Sequence, residues 1–176
     1  TLPALAALRR QFSQAHLEVL GYPHIAQLAL AGGLVDRVQP IEARGLAGFF
    51  ARDGKLAPDL ADYFSGFHII ISYLYDPDEI FQTNIARCAA TQFIVAPHRP
   101  NEKELIHATQ VYLKPLARLA IFDVDPVPRL PIRAPRNSEL ETRNIPAVLA
   151  LHPGSGSEKK NWPEAKWAEL LARLVE

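Results

Sequence analysis

Apolar and polar positions along the chain change period several times, and each change marks a predicted element. Leu2, Leu5, Leu8 and Phe12 recur at helical spacing in TLPALAALRRQF. They predict a helix with Pro3 in its first turn, where a residue lacking an N–H costs nothing. HLEVLGYP predicts a strand closed by Gly21 and Pro23, HIAQLALAGGLVD a helix broken at Gly32 and Gly33, and RVQPIE a short strand. Residues 43–66 read as helical or irregular, interrupted by Gly45, Gly48, Gly54 and Pro58. The strongest predicted strand is FHIIISYLYD, residues 67–76, in which Ile69, Ile70 and Ile71 are consecutive. An unbroken β-branched run fits a strand covered on both faces, as in a parallel sheet beneath helices. A helix over 77–90, a strand at TQFIVAP and a long helix over 102–122 complete the region.

Strand and helix alternate throughout, which predicts a doubly wound α/β domain with right-handed crossovers around one central sheet. The opening helix would follow a strand lying ahead of Thr1. The texture then changes. Between 123 and 146 lie five of the fifteen prolines, with Arg129, Arg133, Arg136 and Arg143, which predicts a semi-rigid connection with one edge strand. Beyond it AVLALH predicts a strand, PGSGSEKKN a loop, and the rest a helix opened by Pro163 with Trp167, Leu170, Leu171 and Leu174 on its apolar face. The domain reading is therefore 1–122, a linker over 123–146, and the start of a second domain over 147–176.

Composition narrows the class. With 176 residues, 48% of them hydrophobic, the chain can bury one ordinary core or one domain and part of another. Lys and Arg balance Asp and Glu at 19 each, so no global field draws it to nucleic acid or to an anionic membrane. No apolar run reaches the roughly 18 residues of a membrane span, and no secretory pattern opens the chain. The single cysteine, Cys88, excludes an internal disulfide and fits a reducing, cytoplasmic setting. The histidines show neither HExxH nor CxxC spacing, so no metal site is expected.

The loop after the last predicted strand carries the candidate chemistry. A strand that passes through glycine and serine into a helix gathers unpaired backbone donors at the positive end of a helix dipole, which suits phosphate. Gly154 and Gly156 allow close backbone approach, Ser155 and Ser157 offer hydroxyls, and Lys159 or Lys160 offers charge. The P-loop pattern fails because Lys159 stands where its second glycine is required, and the dinucleotide fingerprint GxGxxG fails at the same position. An ordinary strand-to-helix turn with solvated lysines fits these residues equally well. Two further loops follow strong strands, where ligands of open α/β sheets bind. SYLYDPDE holds Asp76, which either borders a ligand or caps the next helix. HRPNEKE holds His98, Arg99 and Lys103, a set suited to anionic groups or to plain solvation. Asp36, in LVDRV, reads as a turn residue.

HPGSGSEKKNWPEAKWAEL resembles the signature of glycosyltransferase family 9, the ADP-heptose:lipopolysaccharide heptosyltransferases, with its PGS-type loop and a lysine two positions before Trp-Pro. TLPALAALRRQFSQAHLEVLG is similar to the same family's segment after its first strand, and HATQVYLKPLARLAI to the helix that closes its first domain. The resemblance implies a GT-B architecture: a Rossmann-like acceptor-side domain followed by the opening of a Rossmann-like nucleotide-sugar domain. It implies an inverting transfer of heptose from ADP-heptose to a lipopolysaccharide inner-core acceptor, in the cytoplasm with peripheral contact at the inner membrane, and no cofactor besides the donor. Ser155, Gly156, Ser157 and Lys160 match the donor-phosphate loop, with Lys160 stabilising the departing diphosphate. Asp76, His98, Arg99 and Lys103 fall to the acceptor side, where phosphates and acidic sugars would be met. The family's catalytic carboxylate matches a position ahead of Thr1, and its sugar- and ribose-gripping acids match positions after Glu176. A non-catalytic phosphate- or nucleotide-binding relative is the alternative; a nicotinamide oxidoreductase is disfavoured by Lys159.

Overall fold

The computed structural model describes residues 1–130 and 151–175, with the side chains of 1–130 and 151–174. Helix and strand alternate in it at the places where the apolar pattern changes period: α1 (Leu2–Gln11), β1 (Glu18–Gly21), α2 (Pro23–Ala31), β2 (Arg37–Pro40), α3 (Pro58–Ser65), β3 (Ile69–Ser72), α4 (Ile80–Ala86), β4 (Gln92–Val95), α5 (Ala108–Leu113) and α6 (Glu164–Val175). Proline opens α1, α2 and α3, where its fixed φ is already helical and no intrahelical donor is lost. A 3₁₀ helix covers Arg44–Phe50, in the stretch read as helical or irregular. The chain divides into two compact units, Thr1–Ala134 and Pro135–Glu176.

The first unit is mixed α/β. β1 pairs with β2 in parallel, Glu18 opposite Arg37 through Gly21 opposite Pro40, and β3 pairs with β4 in parallel, Ile69 opposite Gln92 through Ser72 opposite Val95. The expected single central sheet is thus replaced, among the described residues, by two two-stranded sheets. The strand expected over 67–76 is correspondingly short, and Ile69 is 36% exposed instead of covered on both faces. A strand with a neighbour on one side only leaves its β-branched side chains open at that edge.

Alternate strand residues face opposite ways. On one face Leu20, Ile70 and Phe93 meet a cluster built from Leu46, Phe49, Phe64, Phe81, Ile85 and Ala89. Its centre is aromatic, with Phe49 and Phe64 centroids 4.9 Å apart and Phe64 edge-on to Phe81 at 6.0 Å. On the other face α1 spans both pairs. Its Leu2 and Leu5 pack with Val19 and Val38 around Ala29, Leu34 and Val35. Its Ala4 and Ala7 pack with Ile71, Leu116 and Ile121. Asp36 accepts from the Leu17 N–H at 2.8 Å and from Arg9 at 2.7 Å, fastening the end of α1 to the start of β1 and β2. That turn role matches the sequence reading. The Leu17 N–H, then Arg9, hold the Asp36 carboxyl below its ordinary range. The Glu18 side chain, only 6% exposed, receives the Tyr63 hydroxyl at 2.9 Å and lies 2.8 Å from His16.

The long helix predicted over 102–122 is not formed. α5 stops at Leu113 and gives way to a 3₁₀ helix over Lys114–Leu119, because Pro115 has no N–H to continue an α-helical ladder and its ring crowds the preceding turn. Upstream, Asn101 draws its neighbours into a turn by accepting from the Lys103 N–H, and His107 caps α5 by accepting from the Thr109 N–H. The opening of the expected linker is packed structure: Val124 joins the α1 cluster on one side and Leu130 on the other. The remainder of that linker, with Arg133, Arg136 and Arg143, and residues 147–150 of the strand expected over 147–152 lie outside the described residues, while Leu151 and His152 are described and carry no strand.

In the second unit a 3₁₀ turn over Glu158–Lys160 precedes the twelve residues of α6. Trp162 stands edge-on to Trp167 at 5.3 Å. The apolar face expected to be core is open, with Leu171 and Leu174 each 49% exposed. Among the described residues no helix is long and apolar enough to cross a membrane.

Candidate functional site

Parallel strands end together, and the loops leaving β3 and β4 enclose a cleft of about 360 Å³ at their C-terminal ends. Asp76 and His98, far apart in sequence, both line it, together with Tyr75, Gln82, Phe93 and Val95. Tyr75 and His98 face each other across the mouth with ring centroids 4.7 Å apart, and Tyr75 is 68% exposed. The floor is apolar and the rim aromatic and polar, an arrangement that suits a small ring-bearing ligand. Asp76 also starts α4, since its carboxylate accepts from the Gln82 N–H at 3.1 Å and its carbonyl from the Glu79 N–H at 3.1 Å. Capping and lining therefore coexist in one residue. Among the described residues, Gln82 Oε1 is buried without a partner on this wall, an acceptor that no motif or spacing announces. Arg99 and Lys103 do not line the cleft; both are exposed and enter no ion pair among the described residues.

Tyr73, at the exit of β3 and outside the cleft lining, donates its hydroxyl to the Tyr112 carbonyl at 2.7 Å, and burial pushes its phenol up to about 12. A second, smaller hollow of about 230 Å³ lies between Arg52, Asp53, Asp78, Ile80, Thr83 and Asn84. Its wall is organised by Asn84, 2% exposed, whose amide donates to the carbonyls of Gly48, Phe49 and Ala51. Arg87 binds both the Asn84 amide oxygen and the Gly54 carbonyl. Asn84 follows Gln82 and Thr83 in α4, so the sequence does not single it out as the residue that organises this wall.

The glycine–serine loop of the second unit is a closed bend. Ser155 donates its N–H to the Asn161 side chain at 2.7 Å and its hydroxyl to the Ser157 carbonyl at 2.9 Å. A side chain on Gly154 or Gly156 would meet nothing within 4 Å, so one flank of the bend is open to solvent. The donors of Ser155 are thus engaged within the loop, while Lys159 and Lys160 are exposed. The 3₁₀ turn and the Asn161, Trp162 and Pro163 residues separate Ser155 from α6, whose first bonds are accepted by the Pro163 carbonyl. The helix opens at Pro163 as the sequence predicts, and the loop residues stand ahead of it across the 3₁₀ turn. What remains is a bend with two adjacent cations and open glycines, a shape compatible with an anion if Ser155 exchanges partners.

Among the described residues no three His, Cys, Asp or Glu side chains converge as metal ligands. No family model, no curated protein and no solved structure matches this chain.

Proposed function

We propose that the chain is part of a glycosyltransferase resembling family 9, its first unit a Rossmann-like acceptor-side domain and its second the opening of a nucleotide-sugar domain in a GT-B architecture. The observation that carries this reading is the bend over Ser155–Lys160: glycines open on one flank, two lysines on a 3₁₀ turn, and an amphipathic helix after Trp162 and Pro163. In an inverting transfer the acceptor hydroxyl loses a proton as it attacks the anomeric carbon, and the diphosphate leaves with added negative charge. Lys160 stabilises that charge, with Ser155, Gly156 and Ser157 around it. The acceptor sits at the cleft of Tyr75, Asp76 and His98, and Arg99 and Lys103 supply cations near its anionic groups. ADP-heptose is the donor and a lipopolysaccharide inner-core oligosaccharide the acceptor.

Titration of the full-length protein with ADP-heptose and with ADP tests the donor half. Binding should weaken about tenfold or more in Lys160→Ala, the loss of one charge-assisted contact. His98→Ala should leave donor affinity unchanged and raise the KM for the acceptor. Absence of binding to either nucleotide, or unchanged binding in Lys160→Ala, overturns the reading. Donor binding without turnover on any inner-core acceptor would favour the non-catalytic relative.

A further inference from the structure

The cleft at the ends of β3 and β4 has charged side chains of one sign only. Asp76 and Glu79 bring two carboxylates, and among the described residues no lysine or arginine lines it. Gln82 brings a third acceptor, its Oε1 buried on that wall without a partner among the described residues. Asp76 uses one oxygen for the Gln82 N–H, and Glu79 gives its own N–H to the Asp76 carbonyl, so all three side chains leave one turn and the start of α4. The second oxygen of Asp76 and both oxygens of the Glu79 carboxylate accept no hydrogen bond and enter no ion pair among the described residues.

Beside these acceptors stands an aromatic wall. Tyr75 is exposed and tilted 57° from the His98 ring, and Phe93 lies on the floor. The Tyr112 hydroxyl donates to the His98 carbonyl at 3.5 Å and ties that loop to α5. At about 360 Å³ the space fits a single ring with a short arm. An anion there would meet two carboxylates and no cation, and would be repelled. A hydroxyl would fill one acceptor with a neutral bond and leave the negative charge as it was. A protonated amine answers the whole lining: three N–H donors for oxygens that have none, charge-assisted bonds to the carboxylates, and a positive charge beside the negative face of Tyr75.

We propose that this cleft is a binding site for a small ring-bearing organic amine, held as its ammonium between the carboxylates of Asp76 and Glu79 with its ring against Tyr75 and Phe93. The lining carries the assignment by itself, whatever reaction the chain serves. On the transferase reading it names the group of the acceptor that enters the cleft, and it leaves the acceptor's anionic groups outside, toward Arg99 and Lys103, which do not line it.

Three probes that share a ring and differ in the arm test it: benzylamine, benzyl alcohol and benzoate, each titrated into the isotope-labelled chain while the backbone amides of Tyr75, Asp76 and His98 are followed by NMR. Benzylamine should shift these amides saturably and bind about tenfold or more tighter than benzyl alcohol, and benzoate should leave them in place. Raising the salt should weaken the amine and not the alcohol. Asp76→Asn, in which asparagine keeps the cap of α4, and Glu79→Gln should each weaken benzylamine about threefold or more, and the double variant should bind amine and alcohol alike at an unchanged Tm. Should the Tm fall, Glu79→Gln decides, since the Glu79 side chain is exposed and no bond of the fold among the described residues depends on it. Benzoate binding as tightly as benzylamine, equal affinity for amine and alcohol, unaltered amine affinity in Glu79→Gln and in the double variant, or no shift at the three amides with benzylamine at tens of millimolar would each overturn the proposal. None of the probes carries a nucleotide, so failure of this site and failure of ADP-heptose binding are read separately.

Discussion

Asn84 is the one buried polar residue among the described residues, and its amide answers three backbone carbonyls. Asn84→Ala leaves those carbonyls without a donor and should cost roughly 2–3 kcal/mol, read as a lowered midpoint in urea at unchanged slope. An unchanged midpoint would show that water takes over the amide's bonds. Tyr63→Phe removes one hydroxyl bond to the Glu18 carboxylate and should cost about 1–2 kcal/mol. Burial and then the hydrogen bond to Glu18 push the Tyr63 phenol above its ordinary range, so no ionisation of Tyr63 complicates that comparison near neutral pH. Asp36 gives the pH dependence. Its folded pKa is depressed by the Leu17 N–H and Arg9, so the stability it contributes is present above the ordinary carboxylate pKa and is lost as pH falls through the folded value. The Tm difference between wild type and Asp36→Asn should be constant above about pH 5 and shrink below about pH 4. A difference that persists under acid would assign the effect to geometry and not to charge.

At the scale of elements, the loop between the first 3₁₀ helix and α3 depends on two backbones touching. A Cβ on Gly48 would land on the Lys55 carbonyl oxygen, and one on Gly54 on the Gly48 carbonyl oxygen. Gly48→Ala must move backbone that Asn84 already holds. It should therefore destabilise by about 2 kcal/mol or more, beyond the modest gain alanine brings to an unconstrained chain, and its combination with Asn84→Ala should be less than additive. Full additivity in a urea double-mutant cycle would separate the two. These elements were partly legible in the sequence. Pro3 announces the start of α1 and Gly32 ends α2 where expected, whereas Pro23, read as the close of a strand, and Pro58, read as an interruption, each open a helix. Pro115 was present too, but the apolar spacing on either side of it continues through, so periodicity reads one helix where the missing N–H imposes two. The glycines of 48 and 54 announced a break without saying what approaches them, since that partner comes from elsewhere in the chain.

For the whole molecule, the two units differ in how their helices are held. None of the side chains described over residues 151–174 is buried, whereas Phe49, Leu116 and Ile94 in the first unit are fully covered. α6 should accordingly exchange its amides at rates near those of a free twelve-residue helix, while amides around Ile85 and Ile94 exchange only with global opening. Protection of α6 equal to that of α4 would contradict this. The sequence conveyed the alternation of strand and helix and brought Asp76 and His98 into one hypothesis, because both follow strong strands. Which strands become neighbours depends on contacts far apart in the chain, so the split of the expected sheet into two pairs was not legible. For the same reason Tyr75 and Gln82 had no signal of their own.

The molecule's one sulfur offers a way to follow such openings. Cys88 sits at the end of α4, half-buried, with its thiol directed at the Asn84 and Ile85 carbonyls and its pKa raised by burial. A thiol kept protonated alkylates slowly, so its labelling rate becomes a clock for how often the wall around Asn84 breathes. Iodoacetamide capture should run about tenfold or more slower in the native chain than in urea, and Asn84→Ala should set the clock faster.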